Sequence, residues 1–128
     1  MNRQKQIAAI ATALLLASCA TESANMHIGG ETPYTSLADQ RAAMDVRIVA
    51  DVPPGARIIG VVDASRCHRN MLDKPPSAED VENDLRVAAY ARGADGIAGV
   101  HVETRVLGSL LKNCWHTLVA TGTAYRTH

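Results

Sequence analysis

Apolar and polar positions divide this chain into three stretches. From Ile7 to Ala17 every residue but Thr12 is apolar, and Arg3 and Lys5 precede the run. Residues 20–43 are mixed, with Gly29, Gly30 and Pro33 and no sustained period, the pattern of a tether. Within them Leu37, Ala38, Ala42, Ala43 and Met44 favour a helical turn. Beyond residue 44 the pattern becomes periodic. Val46 to Ala50 alternates and predicts a strand, and Pro53-Pro54-Gly55 predicts a turn. Ile58, Ile59, Val61 and Val62 form a β-branched run from Arg57 to Asp63, suited to a strand covered on both faces or meeting a partner. Gly60 inside it marks a bulge or a close backbone approach.

Ser65–Pro76 reads as a loop ending in Pro75-Pro76. Ser77 then fits an N-cap, with Asp80 three residues on as its capping-box mate. Glu79, Asp80 and Glu82 suit the positive end of a helix, and Arg86 and Arg92 lie towards the other end. Val81, Leu85, Ala88 and Arg92 share a stripe, with Ala89 beside it, while Glu82 and Arg86 are spaced to pair. Gly93 fits the left-handed residue past the end, so the spacing predicts a helix over 78–92. Asp95-Gly96 turns the chain into a strand over Ile97–Arg105, and Val106–Asn113 is a loop. The last strand, Cys114–Tyr125, puts Trp115, Thr117, Val119, Thr121 and Thr123 on one face and Leu118 and Ala120 on the other, with Gly122 a second bulge candidate. The order strand, strand, helix, strand, strand predicts an α+β domain, a small sheet of about four strands with one helix packed on a face.

The first apolar run ends in Leu16-Ala17-Ser18-Cys19, which has the form of a bacterial lipobox. A basic start, an apolar centre and small residues before a cut site make a secretory signal. The run is too short to span a bilayer, which takes roughly 20 residues. Cys19 would then carry a diacylglycerol on its thiol and a further acyl chain on its freed amine, enough to anchor the chain firmly. Ala20, where an inner-membrane lipoprotein carries Asp, sorts the product to the outer membrane under the Gram-negative rule. The organisation read is a signal peptide at 1–18, a lipid-anchored flexible tether at 19–44, and a domain at 45–128, facing the periplasm.

Composition narrows the function classes. The chain has 13 basic and 13 acidic residues, and removal of Arg3 and Lys5 leaves 11 basic ones. A mature charge near −2 without a basic run argues against nucleic-acid binding. No residue is Phe, so the core must be built from Val, Ile, Leu and Ala. A domain of about 85 residues gains from a covalent brace. Cys67 and Cys114 remain after lipidation, and in an oxidising compartment they most simply pair.

Candidate chemistry is sparse. Cys67-His68 and Cys114-Trp115-His116 are the soft-ligand clusters, and two thiolates with two imidazoles would make a tetrahedral metal set. The competing reading is a disulfide with two bystander histidines. His27 falls in the tether, His128 ends the chain, and His101 reads as a surface strand residue. Glu79, Asp80, Glu82 and Asp84 read as a solvated, dipole-matched helix start. There is no nucleophile elbow, phosphate loop or useful carboxylate pair, so a non-enzymatic protein without a cofactor is expected. Leu107-Gly108-Ser109-Leu110-Leu111 is an apolar loop, read either as a partner-binding tip or as a turn folded back over the sheet. Leu107, Leu110, Leu111 and Trp115 are therefore the partner-contact candidates, Trp115 either packing on the disulfide or anchoring a contact.

Three pieces carry a resemblance: Gly60-Val61-Val62-Asp63-Ala64-Ser65-Arg66-Cys67, then Ala91-Arg92-Gly93-Ala94-Asp95-Gly96-Ile97, then Cys114 through Ala124. Together with the lipobox they resemble the RcsF-like outer-membrane lipoproteins, sensors of the Rcs envelope-stress phosphorelay. The Gly-Ala-Asp-Gly-Ile and Gly-Thr-Ala pieces also resemble YbjQ-like domains, described as heavy-metal binders. The resemblance covers roughly residues 46–126. It implies a short sheet with a packed helix, and a disulfide between the loop after an early strand and the start of the last, the positions of Cys67 and Cys114. The second disulfide of the RcsF-like sensors is missing, since His101-Val102 and Ala120 stand at its places. Their long, Pro-rich, basic tether, which threads a barrel protein, is replaced by a shorter one with only Pro33 and Arg41. The expected function is a lipid-anchored envelope module that binds a protein partner, with signalling to the Rcs phosphorelay implied by the resemblance. The alternatives are a metal-binding lipoprotein using Cys67, His68, Cys114 and His116, and a structural oligomer of the kind YbjQ-like domains form.

Overall fold

The computed structural model describes residues 25–28, 36–69, 72, 74–106 and 114–128. The elements are β1 (Asn25–Ile28), α1 (Leu37–Ala43), β2 (Arg47–Val49), β3 (Arg57–His68), α2 (Ala78–Ala91), β4 (Gly96–Arg105) and β5 (His116–Arg126). The five strands form one sheet in the order β1-β3-β5-β4-β2. β5 runs antiparallel to both neighbours, so β3 and β4 are parallel to each other with β5 inserted between them. The β3-α2-β4 passage is thus a split β-α-β unit. β1 pairs antiparallel with β3, and β2 parallel with β4. The α+β class is as expected, with one more strand than the sequence predicts and with a full helix, α1, where Leu37–Met44 favour a helical turn.

β1 and α1 both come from the segment that reads as tether. β1 lies beside Ala64–Arg66 of β3. Helix α1 starts from a capping box in which the Asp39 amide donates to Ser36 Oγ at 3.1 Å and the Ser36 amide to Asp39 Oδ2 at 3.2 Å. It buries Ala43 and packs against α2. Residues 25–28 and 37–43 thus belong to the packed structure; a short alanine-containing face suffices to dock a two-turn helix.

Helix α2 begins as its sequence dictates. The Asp80 amide donates to Ser77 Oγ at 3.2 Å, and the Ser77 amide to Asp80 Oδ2 at 2.9 Å. Its end is a Schellman turn: Gly93, at φ +72°, donates to the Tyr90 carbonyl at 2.8 Å and Ala94 to the Ala89 carbonyl at 3.0 Å. The buried face is Val81, Leu85, Ala88 and Ala89, as the stripe predicts, but Arg92 leaves it. Arg92 is exposed and donates through Nη1 to the Val61 carbonyl at 2.7 Å. Arg86 turns to Asn83 Oδ1 at 3.4 Å and not to Glu82.

One face of the sheet carries the core. Val62 and Ala64 of β3, Ile97 of β4, and Ala120 and Ala124 of β5 meet Val81, Leu85 and Ala89 of α2, with Ile59, Val100, Val102 and Leu118 at the margin. β3 is longer than its sequence predicts. It continues through Ser65, Arg66 and Cys67 to His68, a stretch with the composition of a loop, because each of these positions has a mate on β5. The bulge at Gly60 is present, with the register shifting between Ile58 and Gly60. Gly122 is not a bulge; it sits in register opposite Val62, and the second irregularity falls in β4 between Ala98 and His101. The last strand begins at His116, two residues after Cys114.

Candidate functional site

The sequence candidates that fall on described residues gather where β3 ends and β5 begins. Cys67 is the penultimate residue of β3, opposite Thr117, and Cys114 lies just before β5. The two are joined as a disulfide with Cα atoms 5.6 Å apart, closing a stretch of 47 residues. Both sulfur-bearing residues are buried. Beside them the chain is pinned by a backbone bond, the Trp115 amide donating to the His68 carbonyl at 2.8 Å. Trp115 itself is 56% exposed, so its ring belongs to the surface and not to the core. The disulfide and the backbone bond fix the main chain on both sides of an exposed aromatic side chain, a suitable place for a contact point.

His68 and His116 face each other across the β3–β5 ladder, with ring centroids 4.9 Å apart at an interplanar angle of 61°. They share the helix side of the sheet with Arg66, two residues before His68. The four residues of the metal alternative are therefore split. Cys67 points to the other side of the sheet from the histidines, and the disulfide occupies both thiols. Among the described residues no three His, Cys, Asp or Glu side chains are grouped so as to hold a metal ion.

Sequence reasoning does not find Arg66 and Asp84 as a pair. Arg66 Nε lies 2.5 Å from Asp84 Oδ2 and Nη2 lies 2.9 Å from Oδ1, a two-pronged bond from β3 to α2. Asp84 is buried, so it is not part of the solvated acidic helix start that the sequence suggests. The signal is its helical phase: Asp84 precedes Leu85 and follows Val81 by three, on the core side. This pair fixes α2 over the same end of β3 that carries Cys67.

The opposite end of the sheet holds an open cleft of about 640 Å³ lined by Arg47, Tyr90, Asp95, Arg126, Thr127 and others. Its polar groups already bind one another. Asp95 accepts from the Thr127 amide at 2.7 Å and from Thr127 Oγ1 at 2.9 Å, and Arg126 Nε donates to the Gly93 carbonyl at 2.7 Å. The backbone bond from Thr127, then that of its hydroxyl, holds the Asp95 carboxyl below its ordinary value of 3.8. Cys19, Leu107, Leu110 and Leu111 lie outside the described residues. No described helix is long and apolar enough to cross a membrane. No known family model matches the chain, and no curated protein matches it by sequence.

Proposed function

We propose that this protein is an outer-membrane lipoprotein whose periplasmic domain binds another envelope protein through the braced corner around Trp115. The observation that carries the reading is Trp115 at 56% exposure, next in sequence to the disulfide-bonded Cys114 and with its backbone amide bonded to the His68 carbonyl. Trp is among the residue types enriched in binding hot spots. The lipobox at Leu16–Cys19 supports anchoring, and a disulfide between the two remaining cysteines suits an oxidising compartment. The likeness of the Gly60–Cys67 and Cys114–Ala124 pieces to RcsF-like sensors supports a role in envelope-stress signalling. The short tether with a single proline makes contact between domains, and not barrel threading, the mode of action.

Two variants test this. Cys19→Ser should lose incorporation of labelled palmitate and leave the membrane fraction; a variant that still fractionates with membranes refutes the anchor. Trp115→Ala should leave the urea midpoint nearly unchanged, since the ring is mostly solvated, yet cut envelope cross-linking to the partner at least tenfold. Unchanged cross-linking refutes the contact surface.

A further inference from the structure

β4 is ten residues long, but β2 flanks its outer side only over Gly96–Ala98. On that side no described strand runs beside His101–Thr104. A strand edge of this kind offers a row of backbone donors and acceptors to another chain. Helix α2 lies chiefly over β3 and β5, away from this edge. We propose that the edge pairs with the same edge of a second copy of this chain, antiparallel about a two-fold axis at Thr104.

The sequence of the edge is its own complement. It reads Val102-Glu103-Thr104-Arg105-Val106. With the axis at Thr104, Glu103 stands opposite Arg105 of the second copy and Arg105 opposite its Glu103. Thr104 meets Thr104, and Val102 meets Val106. The faces agree. Glu103 and Arg105 pair with Val119 and Thr117 of β5, on the side of the sheet away from α2. Val102 and Thr104 pair with Ala120 and Leu118, on the helix side. Opposite charges, paired threonines and paired β-branched residues are favourable cross-strand combinations. Moving the axis one residue either way centres it on Glu103 or Arg105 and sets like charges face to face, so the charges select one register.

Charged residues on an edge commonly repel further strands. Here they alternate in sign. Arg105 already binds Glu103 of its own strand, Nε to Oε1 at 2.5 Å, so the dimer would join two such pairs into a square of alternating charge. Val106 supplies the apolar rim, with 55% of it exposed in the single chain. A two-fold axis also makes each contact occur twice, the arrangement of a closed homodimer. The result is one continuous sheet across two copies, and it does not depend on how the chain is anchored.

The test uses the full chain. Thr104→Cys, expressed in cells and oxidised in the extract, should give a disulfide-linked dimer above the wild-type background, because the two Cβ atoms lie directly opposite. His101→Cys should give none, since its mate is residue 107. In sedimentation of the purified intact protein, Glu103→Arg alone and Arg105→Glu alone should each weaken self-association at least tenfold. The combined exchange should restore it to within about threefold, as complementarity returns. The pairing is overturned if Thr104→Cys fails to link while mass spectrometry shows Cys67–Cys114 intact. It is equally overturned if the purified wild type is monomeric at tens of micromolar, if the single charge changes leave association unaltered, or if the Thr104→Cys variant captures a different protein instead of its own copy.

Discussion

Ser77 and Asp80 show how two polar side chains set the start of an element and its response to acid. The Ser77 amide, then its hydroxyl, donates to the Asp80 carboxyl and lowers its pKa from the ordinary 3.8, with the charges of Arg66 and Lys74 adding to the same effect. A carboxyl that titrates lower in the folded than in the unfolded chain stabilises the fold fully above pH 3.8. That contribution fades as the pH drops through the lower folded value. Asp80→Asn should cost about 0.3–1 kcal/mol at neutral pH, the size of a solvent-screened charge at a helix start. The melting temperatures of variant and wild type should converge as the pH falls below 3.8, a comparison read by circular dichroism. A constant difference across that range would contradict the assignment of the shift to this cap.

At the scale of elements, β4 and β5 leave no room for a side chain at Gly122. A Cβ on Gly122 would stand 2.5 Å from Ile97 Cγ2 and 3.2 Å from Val100 Cγ2, on the core side of the sheet. Gly122→Ala should thus lower stability by about 1–3 kcal/mol, the usual cost of overpacking, measured as a shift of the urea midpoint. The sequence marks Gly122 but suggests a bulge, because spacing along one strand cannot show what leans over it from the next. Helix α2 is legible from cap to cap, since Ser77, Asp80 and Gly93 act within a few residues of themselves. The end of β3 is not. Ser65–His68 looks like loop composition, and only the facing residues of β5 and the Arg66–Asp84 bond across 18 positions make it a strand. β1 is hidden for a related reason: four residues at a sheet edge leave no period to count. Of the candidate site, the cysteine pairing is readable from the count of thiols, whereas the placement of Trp115 outside the core needs the strand to begin at His116.

For the molecule as a whole, Cys67–Cys114 ties together two strands that are neighbours in space and 47 residues apart in sequence. Chain entropy assigns a closure of this length about 4 kcal/mol as a ceiling. Cys67→Ala combined with Cys114→Ala should lose about 2–4 kcal/mol by urea denaturation, a large part of what a domain of this size holds in reserve. An unchanged midpoint would show that the sheet and its helix suffice without the bond.

The middle position of the sheet belongs to the last of the described strands. β5 spans His116–Arg126, and both β3 and β4 hydrogen-bond to it and not to each other. A nascent chain emerging from its N-terminus can form α2 early but cannot join β3 to β4 beneath it until residues 116–126 have been made. The joining of the two halves of the sheet therefore waits on β5, and a product truncated before residue 116 would be left with β3 and β4 unjoined.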